Sequence, residues 1–142
     1  MQKLLLITII YWLFSIPVNA QWVSTQGPYG GNVYQMLTND TYVYATKSSG
    51  LYRSADVGLN WEICDATTLF GRIAIDGSNL LGSYIDNDQA LLRFSSDNGD
   101  HWQNVPLPGQ LPFLDNIAVK GNLLLFTYLN QIWWALGVLS DG

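Results

Sequence analysis

Cysteine, histidine and charged side chains are scarce in this chain of 142 residues. Cys64 is the only cysteine, so no disulfide can form within one chain. We interpret it as a small buried apolar side chain, and a thiol that links two chains is the alternative. His101 is the only histidine and is expected to be a surface turn residue rather than a base or a ligand. A net charge of −5 argues against a nucleic-acid partner and is compatible with neutral glycans, peptides or a cationic surface.

Long apolar runs are also few. The first, residues 4–16, covers about 13 residues, which is short for a membrane span. It follows Lys3 and precedes small residues that end at Ala20, the order typical of a secretory signal peptide. We therefore predict a cleaved signal peptide over residues 1–20 and a mature domain over residues 21–142, secreted or periplasmic, with no membrane partner after cleavage. An uncleaved anchor is the alternative.

The second apolar run, residues 122–139, is interrupted by Asn130 and Gln131. In the middle of a membrane helix their unpaired amides would be costly. The same two residues suit a turn between strands, so we predict two strands in this run rather than a helix.

What the chain does contain is a repeated motif that follows an apolar, strand-like segment. Every residue of the second copy lies 41 positions after its counterpart in the first. The motif residues are Ser54, Asp56, Gly58 and Trp61 in the first copy, and Ser95, Asp97, Gly99 and Trp102 in the second. A period of this length with strand-like flanks indicates a radially repeated β architecture.

The residue types of the motif predict a folded corner. An aspartate after a strand can accept hydrogen bonds from nearby backbone N–H groups, worth about 1 kcal/mol each. The glycine supplies a positive φ, and the tryptophan is expected to open the next strand and turn its apolar surface toward the core. The motif is therefore interpreted as structural rather than catalytic.

Ser-x-Asp-x-Gly-x-x-Trp resembles the Asp-box, or BNR repeat, over roughly residues 21–135. This repeat is found in β-propellers of sialidases, xyloglucan-active glycosidases, sortilin-like receptors and photosystem II assembly factors. The resemblance implies an all-β fold of four-stranded antiparallel blades, with each motif between the third and fourth strands at the periphery. Functions in the family differ widely, so the resemblance predicts architecture and not activity.

Three units of strands follow from the placement of apolar and turn residues. In unit 1 we predict strands at 33–37, 42–45, 51–54 and from Trp61 onward. In unit 2 we predict strands at 72–75, 80–84, 91–95 and 102–105, with a hairpin turn at 76–79 and a loose loop at 85–90. In unit 3 we predict strands at 117–119, 123–128 and 132–135.

The motif is lost in the third unit. Ala135, Gly137 and Leu139 stand where its Ser, Asp and Gly would fall, and no tryptophan follows. Closed propellers need roughly four to eight blades, so two complete blades and a partial third would not close. A first strand such as Gln21-Trp22-Val23 would complete a last blade that is absent. We predict the N-terminal part of a longer propeller, and self-association through open blade edges is the alternative.

Candidate chemical groups do not form a recognisable site in the sequence. Arg53 and Arg93 each precede a motif and are expected to project from equivalent outer strands, without converging with Arg72 as sialidase arginines do. The oxygen-rich segments 86–88 and 97–100 lack calcium-loop spacing, so we expect solvated loops and no metal. No catalytic residue and no cofactor are predicted.

Two functions remain open from the sequence. The preferred one is a non-catalytic exported propeller that binds a glycan or a peptide or acts as a scaffold. The other is the N-terminal piece of a secreted sialidase-like or xyloglucanase-like glycoside hydrolase, with Asp76 and Asp115 near inner strands as carboxylate candidates. Four aromatic residues could form a sugar platform, although packing roles are favoured: Tyr29, Tyr34, Tyr84 and Trp133.

Overall fold

The computed structural model describes residues 24, 27–28 and 30–136. These residues form eleven β-strands and no helix, arranged as three antiparallel sheets. The predicted signal peptide, the segment 21–23 and the positions Tyr29, Gly137 and Leu139 lie outside the described residues.

Each sheet is a meander in which consecutive strands pair. Sheet 1 contains β1 (Val33–Thr38), β2 (Val43–Lys47), β3 (Gly50–Ser54) and β4 (Glu62–Asp65). Sheet 2 contains β5 (Arg72–Asp76), β6 (Asn79–Asp86), β7 (Gln89–Ser95) and β8 (Gln103–Val105). Sheet 3 contains β9 (Asn116–Lys120), β10 (Leu123–Tyr128) and β11 (Gln131–Leu136). The predicted all-β fold is confirmed, with two four-stranded blades and a third of three described strands that do not close.

The loose loop predicted at 85–90 is wrong. Asp86 pairs with Gln89, so β6 and β7 are joined by Asn87 and Asp88 alone. Both residues have a positive φ, 48° and 60°, as a type I′ hairpin turn requires. Asn and Asp tolerate this left-handed conformation because their short polar side chains bond locally.

The turn between β10 and β11 lies one residue earlier than predicted. It consists of Leu129 and Asn130, both with positive φ, and Gln131 pairs with Tyr128 as the first residue of β11. The two-strand interpretation of this apolar segment is confirmed over residues 123–136. Within the part of the chain that the structure describes, no helix is long and apolar enough to cross a membrane.

Sheet 2 packs between the other two sheets. Neighbouring side chains on a strand point to opposite faces, so Leu80 packs toward sheet 1 and Leu81 toward sheet 3. Interface A, between sheets 1 and 2, is built around Tyr44, Leu51, Phe70, Ile73 and Leu80. Interface B, between sheets 2 and 3, is built around Leu81, Leu92, Phe94, Leu114, Val119, Leu124 and Phe126. β5 contacts both β1 and β9, so the first strands of the three sheets lie side by side.

The two outermost faces of the described fan carry exposed apolar side chains. On sheet 1, Tyr34 and Met36 of β1 are exposed. On sheet 3, Ile132, Trp134 and Leu136 of β11 are exposed. The same strands that fill interfaces A and B therefore present apolar surface at both ends of the fan.

Candidate functional site

The first motif copy forms a hydrogen-bonded corner between β3 and β4, named here motif turn 1 (residues 54–61). Ser54 is its centre: its hydroxyl donates to Asp56 Oδ1 over 2.8 Å and accepts from the Gly58 N–H over 2.8 Å. Asp56 in turn accepts from the Asn60 backbone N–H over 2.8 Å and from the Asn60 side-chain amide over 2.7 Å. Gly58 has a φ of 91°, which confirms its predicted conformation.

Motif turn 2 (residues 95–102), between β7 and β8, repeats these contacts. The Ser95 hydroxyl donates to Asp97 over 2.7 Å and accepts from the Gly99 N–H over 2.9 Å, and the φ of Gly99 is 94°. Asp97 accepts from the His101 N–H over 2.9 Å. The sequence predicted the aspartate and glycine roles but not the central position of the buried serine.

Both motif aspartates are held as carboxylates. Hydrogen bonds from the Asn60 backbone and side chain, and from Ser54, lower the pKa of Asp56 to about 2. For Asp97, desolvation opposes ionisation, but hydrogen bonds from the His101 N–H and Ser95 bring its pKa to about 2. The side-chain hydrogen bond with Asp97 raises the pKa of His101, whose ring is 91% exposed. His101 is thus a surface turn residue, as predicted.

The two motif tryptophans are only partly alike. Each indole N–H donates to the carbonyl of its motif glycine over 3.0 Å, and each ring is half-buried. Trp102 packs into interface A, with its ring centroid 4.8 Å from that of Phe70. Trp61 belongs to neither interface, so the expectation of core burial holds for Trp102 alone.

Arg53 and Arg93 project from equivalent strands, β3 and β7, but not from equivalent positions as expected. The 41-residue period aligns Arg93 with Tyr52, and Arg53 with Phe94, so the two arginines leave opposite faces of their strands. Arg53 reaches from sheet 1 toward sheet 2 and Arg93 reaches back toward sheet 1. Both side chains therefore enter interface A.

Each arginine is engaged in structural contacts there. Arg53 bonds to Glu62 over 2.6 Å, to Asp100 over 2.8 Å and to the Asn98 carbonyl over 2.9 Å. Arg93 bonds to Asp65 and to the Thr68 hydroxyl.

Asp65 also accepts three hydrogen bonds from Thr67 and Thr68. Desolvation alone would raise the pKa of this carboxyl, but these bonds lower it overall. Since their donors and acceptors are matched within the protein, these groups hold interface A together.

Two amide side chains that the sequence analysis did not single out also join sheets 1 and 2. Gln35 donates to the carbonyl of Ile73 over 3.0 Å and accepts from its N–H over 2.9 Å. Asn39 donates to the Gly77 carbonyl over 2.7 Å. Both pairs are separated by 38 residues, and this common spacing is the signal that could have indicated them.

The two carboxylate candidates are occupied by hydrogen bonds between strands. Asp76 binds Lys120 Nζ over 2.7 Å and the Gly121 N–H over 2.7 Å, and these contacts lower its pKa. Asp115 accepts from the Leu129 N–H over 3.0 Å. Asp76 therefore ties the β5–β6 hairpin to the β9–β10 hairpin, and neither carboxylate faces a partner carboxylate in these contacts.

A cavity of about 550 Å³ lies beside β5 and β6, and its lining includes Arg72, Tyr84 and Phe113. The aromatic platform residues are dispersed, because Tyr34 lies on sheet 1, Tyr84 on sheet 2 and Trp133 on sheet 3. The structure thus places two of the groups proposed from sequence, Arg72 and Tyr84, at one cavity.

The remaining candidates from the sequence are Cys64 and the oxygen-rich segments. Cys64 is a free, half-buried thiol, and burial raises its pKa to about 12, so it packs as an apolar side chain. Among the residues that the structure describes, no group of three or more His, Cys, Asp or Glu is placed to hold a metal ion. Neither protein-family models nor curated protein sequences give a match to this chain.

Proposed function

We propose that this chain is a secreted, non-catalytic β-propeller repeat module of the Asp-box type, which binds a glycan or a peptide or serves as a scaffold. In the same proposal, it forms the N-terminal part of a longer propeller. Secretion rests on the signal-like order of residues 1–20. The repeat type rests on the matching hydrogen bonds of the two motif turns.

The observation that carries the non-catalytic assignment is that the acidic and basic side chains are bonded to other groups of the protein. Asp76, Asp65 and Arg53 bond to groups on neighbouring strands or sheets. Acid–base catalysis by paired carboxylates needs one carboxyl with a raised pKa. The pKa shifts of Asp65 and Asp76 both run downward, which favours structural roles.

For a glycan ligand, the cavity beside Arg72 and Tyr84 is the proposed site, because it combines a cation with aromatic surface. The test is a glycan-array screen of the purified chain, followed by titration of Tyr84→Phe and Arg72→Ala. Binding that weakens at least about tenfold in Arg72→Ala supports this site. The control is Arg53→Lys, which leaves the cavity lining unchanged.

Catalysis is tested separately, with a panel of chromogenic glycosides that includes sialosides and xyloglucan oligosaccharides. We expect no turnover above buffer. Turnover that Asp76→Asn or Asp115→Asn abolishes would overturn the proposal in favour of a glycoside hydrolase. Reading the gene beyond codon 142 tests the propeller assignment, since further Ser-x-Asp-x-Gly-x-x-Trp repeats are expected there.

A further inference from the structure

The cavity of about 550 Å³ beside β5 and β6 has the size of a small-ligand site, for which about 300–1,000 Å³ is typical. Sheet 2 contributes Arg72 and Ser83 to its wall, and the segment before β9 contributes Phe113. β11 ends at Leu136, which pairs with Leu123 at the end of sheet 3 away from Phe113. The outer edge of β11 lies on the other side of β10 from β9, so a strand added there leaves this cavity open.

Ser83 supplies a buried hydroxyl to the cavity. The residue is 7% exposed, and in the described part of the chain its Oγ makes no hydrogen bond. Ser83 pairs with Leu92 and therefore shares a sheet face with it, and Leu92 packs in interface B. A hydroxyl that is buried without a partner is costly. One that lines a cavity is thus a place for a polar group of a ligand to bind.

Arg72 supplies a positive charge that the protein does not neutralise locally. Arg53, Arg93 and Lys120 each form an ion pair with a carboxylate. Among the described residues, Arg72 has neither an ion pair nor a hydrogen bond, and it lies exposed at the cavity. A guanidinium is planar and always charged, and it binds a carboxylate through two parallel N–H groups. The ligand that fits this side chain therefore carries a carboxylate.

The corresponding position in interface A is closed. In the common register of sheets 1 and 2, Thr46 corresponds to Ser83, and its cross-strand partner Gln35 corresponds to Arg72. The Gln35 amide both donates to and accepts from the backbone of Ile73, and Thr46 is 2% exposed. Where interface A has a link between sheets, interface B thus has an unpaired cation beside an open cavity.

Phe113 adds an apolar surface to the same cavity. Its ring is 42% exposed and packs edge-on against Tyr128, with 5.4 Å between the ring centroids. Contact with sheet 3 holds the ring, while its exposed part borders the cavity. An exposed aromatic ring beside polar groups is suited to a ligand that is apolar on one face and polar at its edge, as a pyranose is.

Backbone groups of the cavity wall are already bonded within the protein. β6 pairs along both edges, with β5 and β7. At the outer edge of β5, the N–H and the carbonyl of Ile73 both bond to Gln35. The Gly71 N–H binds the Ser83 carbonyl over 2.8 Å. An extended peptide depends on main-chain pairing, so this cavity recognises its ligand through side chains and favours a sugar.

We infer that this cavity binds the terminal hexuronic acid of a short glycan. The sugar carboxylate pairs with the Arg72 guanidinium, a ring hydroxyl bonds to Ser83 Oγ, and the apolar ring face packs on Phe113. A single carboxylate is expected because the net charge of −5 repels a polyanion. The inference rests on the proposed glycan-binding function and names the ligand class of its site.

The experiment titrates the full chain with methyl glucuronide and with methyl galacturonide, and follows binding by ligand-detected NMR. Each hexuronide is compared with its methyl ester, which keeps the sugar ring and removes the charge. We expect saturable binding of at least one hexuronide. It should bind at least about tenfold more tightly than its ester, because a charge-assisted hydrogen bond is about twice as strong as a neutral one.

Matched variants of the protein locate the site. Arg72→Gln removes the charge and should make a hexuronide and its ester bind equally. Lys120→Gln removes the same charge outside the cavity lining, so the preference of about tenfold should remain. Ser83→Ala should weaken hexuronide binding about three- to tenfold without lowering the thermal unfolding midpoint, since this hydroxyl has no partner in the described chain. Thr46→Val makes the corresponding change in interface A and should leave binding within about twofold.

No saturable binding of either hexuronide up to about 10 mM, or equal binding of a hexuronide and its ester, overturns the inference. A preference for the acid that survives in Arg72→Gln also overturns it. Acetylglutamate that binds as tightly as the hexuronides overturns the sugar assignment. If Arg72→Gln fails to fold by circular dichroism, the ester comparison on the unmodified protein still decides.

Two further outcomes separate this inference from the proposed function. Binding of neutral glycans without hexuronide binding overturns the inference and leaves the proposed binding function in place. Release of methanol from a methyl hexuronide overturns the non-catalytic function, and the acid-against-ester comparison then still decides the inference.

Discussion

Interfaces A and B share one strand register but differ in side-chain chemistry. Interface A is crossed by the Arg93–Asp65 ion pair and by the Gln35 amide. In interface B, Trp133 and Pro106 hold the places of Arg93 and Asp65. The comparison teaches that backbone pairing and core volume set the blade arrangement, while the side chains between blades can be polar or apolar.

The two interfaces also differ in where the large side chains stand. In interface A, Phe70 lies on Gly82, where an added Cβ would come within 2.3 Å of the ring. Their counterparts in interface B are Leu114 and Phe126, so the larger side chain has moved to the opposite member of the pair. Volume-conserving exchanges of this kind preserve packing density.

The largest expected effect is that of Phe70→Ala, which empties the centre of interface A. Phe70 is 2% exposed and contacts both Tyr84 and Trp102. We expect a loss of about 3–5 kcal/mol in the free energy of unfolding, measured by urea denaturation. Phe113→Ala is the matched control, with a loss of no more than about 1 kcal/mol because Phe113 is 42% exposed. Equal losses in the two variants would contradict a core role for Phe70.

Gly82→Ala tests the volume exchange directly. The new methyl group meets the Phe70 ring, so we expect a loss of about 1–3 kcal/mol in unfolding free energy. Adding Phe70→Leu should recover part of that loss, since the pair then resembles Leu114 and its partner in interface B. Gly109→Ala, where nothing lies within 4 Å, should change stability by no more than about 0.5 kcal/mol. A double variant less stable than either single variant would contradict the exchange.

The two motif turns can also be compared with each other. Ser54→Ala and Ser95→Ala each remove the hydroxyl that bonds both aspartate and glycine, and each should cost about 1–2 kcal/mol by thermal or urea unfolding. The exposed neighbour Ser96→Ala should have almost no effect. A large difference between the two serine variants would show that the turns are not energetically equivalent.

The smallest expected effect is a pH dependence of stability from the motif aspartates. Asp56 and Asp97 have folded-state pKa values of about 2, below the ordinary value of 3.8. A lowered pKa contributes stability above the unfolded-state pKa, and this contribution is lost as pH falls from about 4 toward 2. Urea midpoints between about pH 5 and 2 should therefore decline. The double variant Asp56→Asn, Asp97→Asn should flatten this decline, and an unchanged slope would contradict the assignment.

Much of the fold could be predicted because local signals and repeat spacing agree. The 41-residue recurrence predicted two corners, and the placement of apolar and turn residues predicted the strands around them. The Asn87–Asp88 turn was missed because two polar residues in a polar run do not reveal that their flanks pair. The arginine faces were missed because a one-residue offset between Arg53 and Arg93 reverses their directions.

The candidate site was less predictable than the fold. The cavity beside Arg72 and Tyr84 arises from residues far apart in sequence, such as Leu69 and Phe113, and no local pattern encodes their meeting. The roles of Gln35 and Asn39 likewise depend on the distance between sheets. Long-range contacts of this type become visible only once the register of each strand is known.

Leu80 and Leu81 are consecutive residues that belong to different hydrophobic compartments. Sheet 2 thus contributes one face to each interface. Unfolding it would expose the apolar side chains of both interfaces to water at once. The smallest cooperative folding unit in this chain is then a pair of adjacent blades, because each interface needs a sheet on both sides. Stability grows with each blade added, as in a one-dimensional array of coupled repeats.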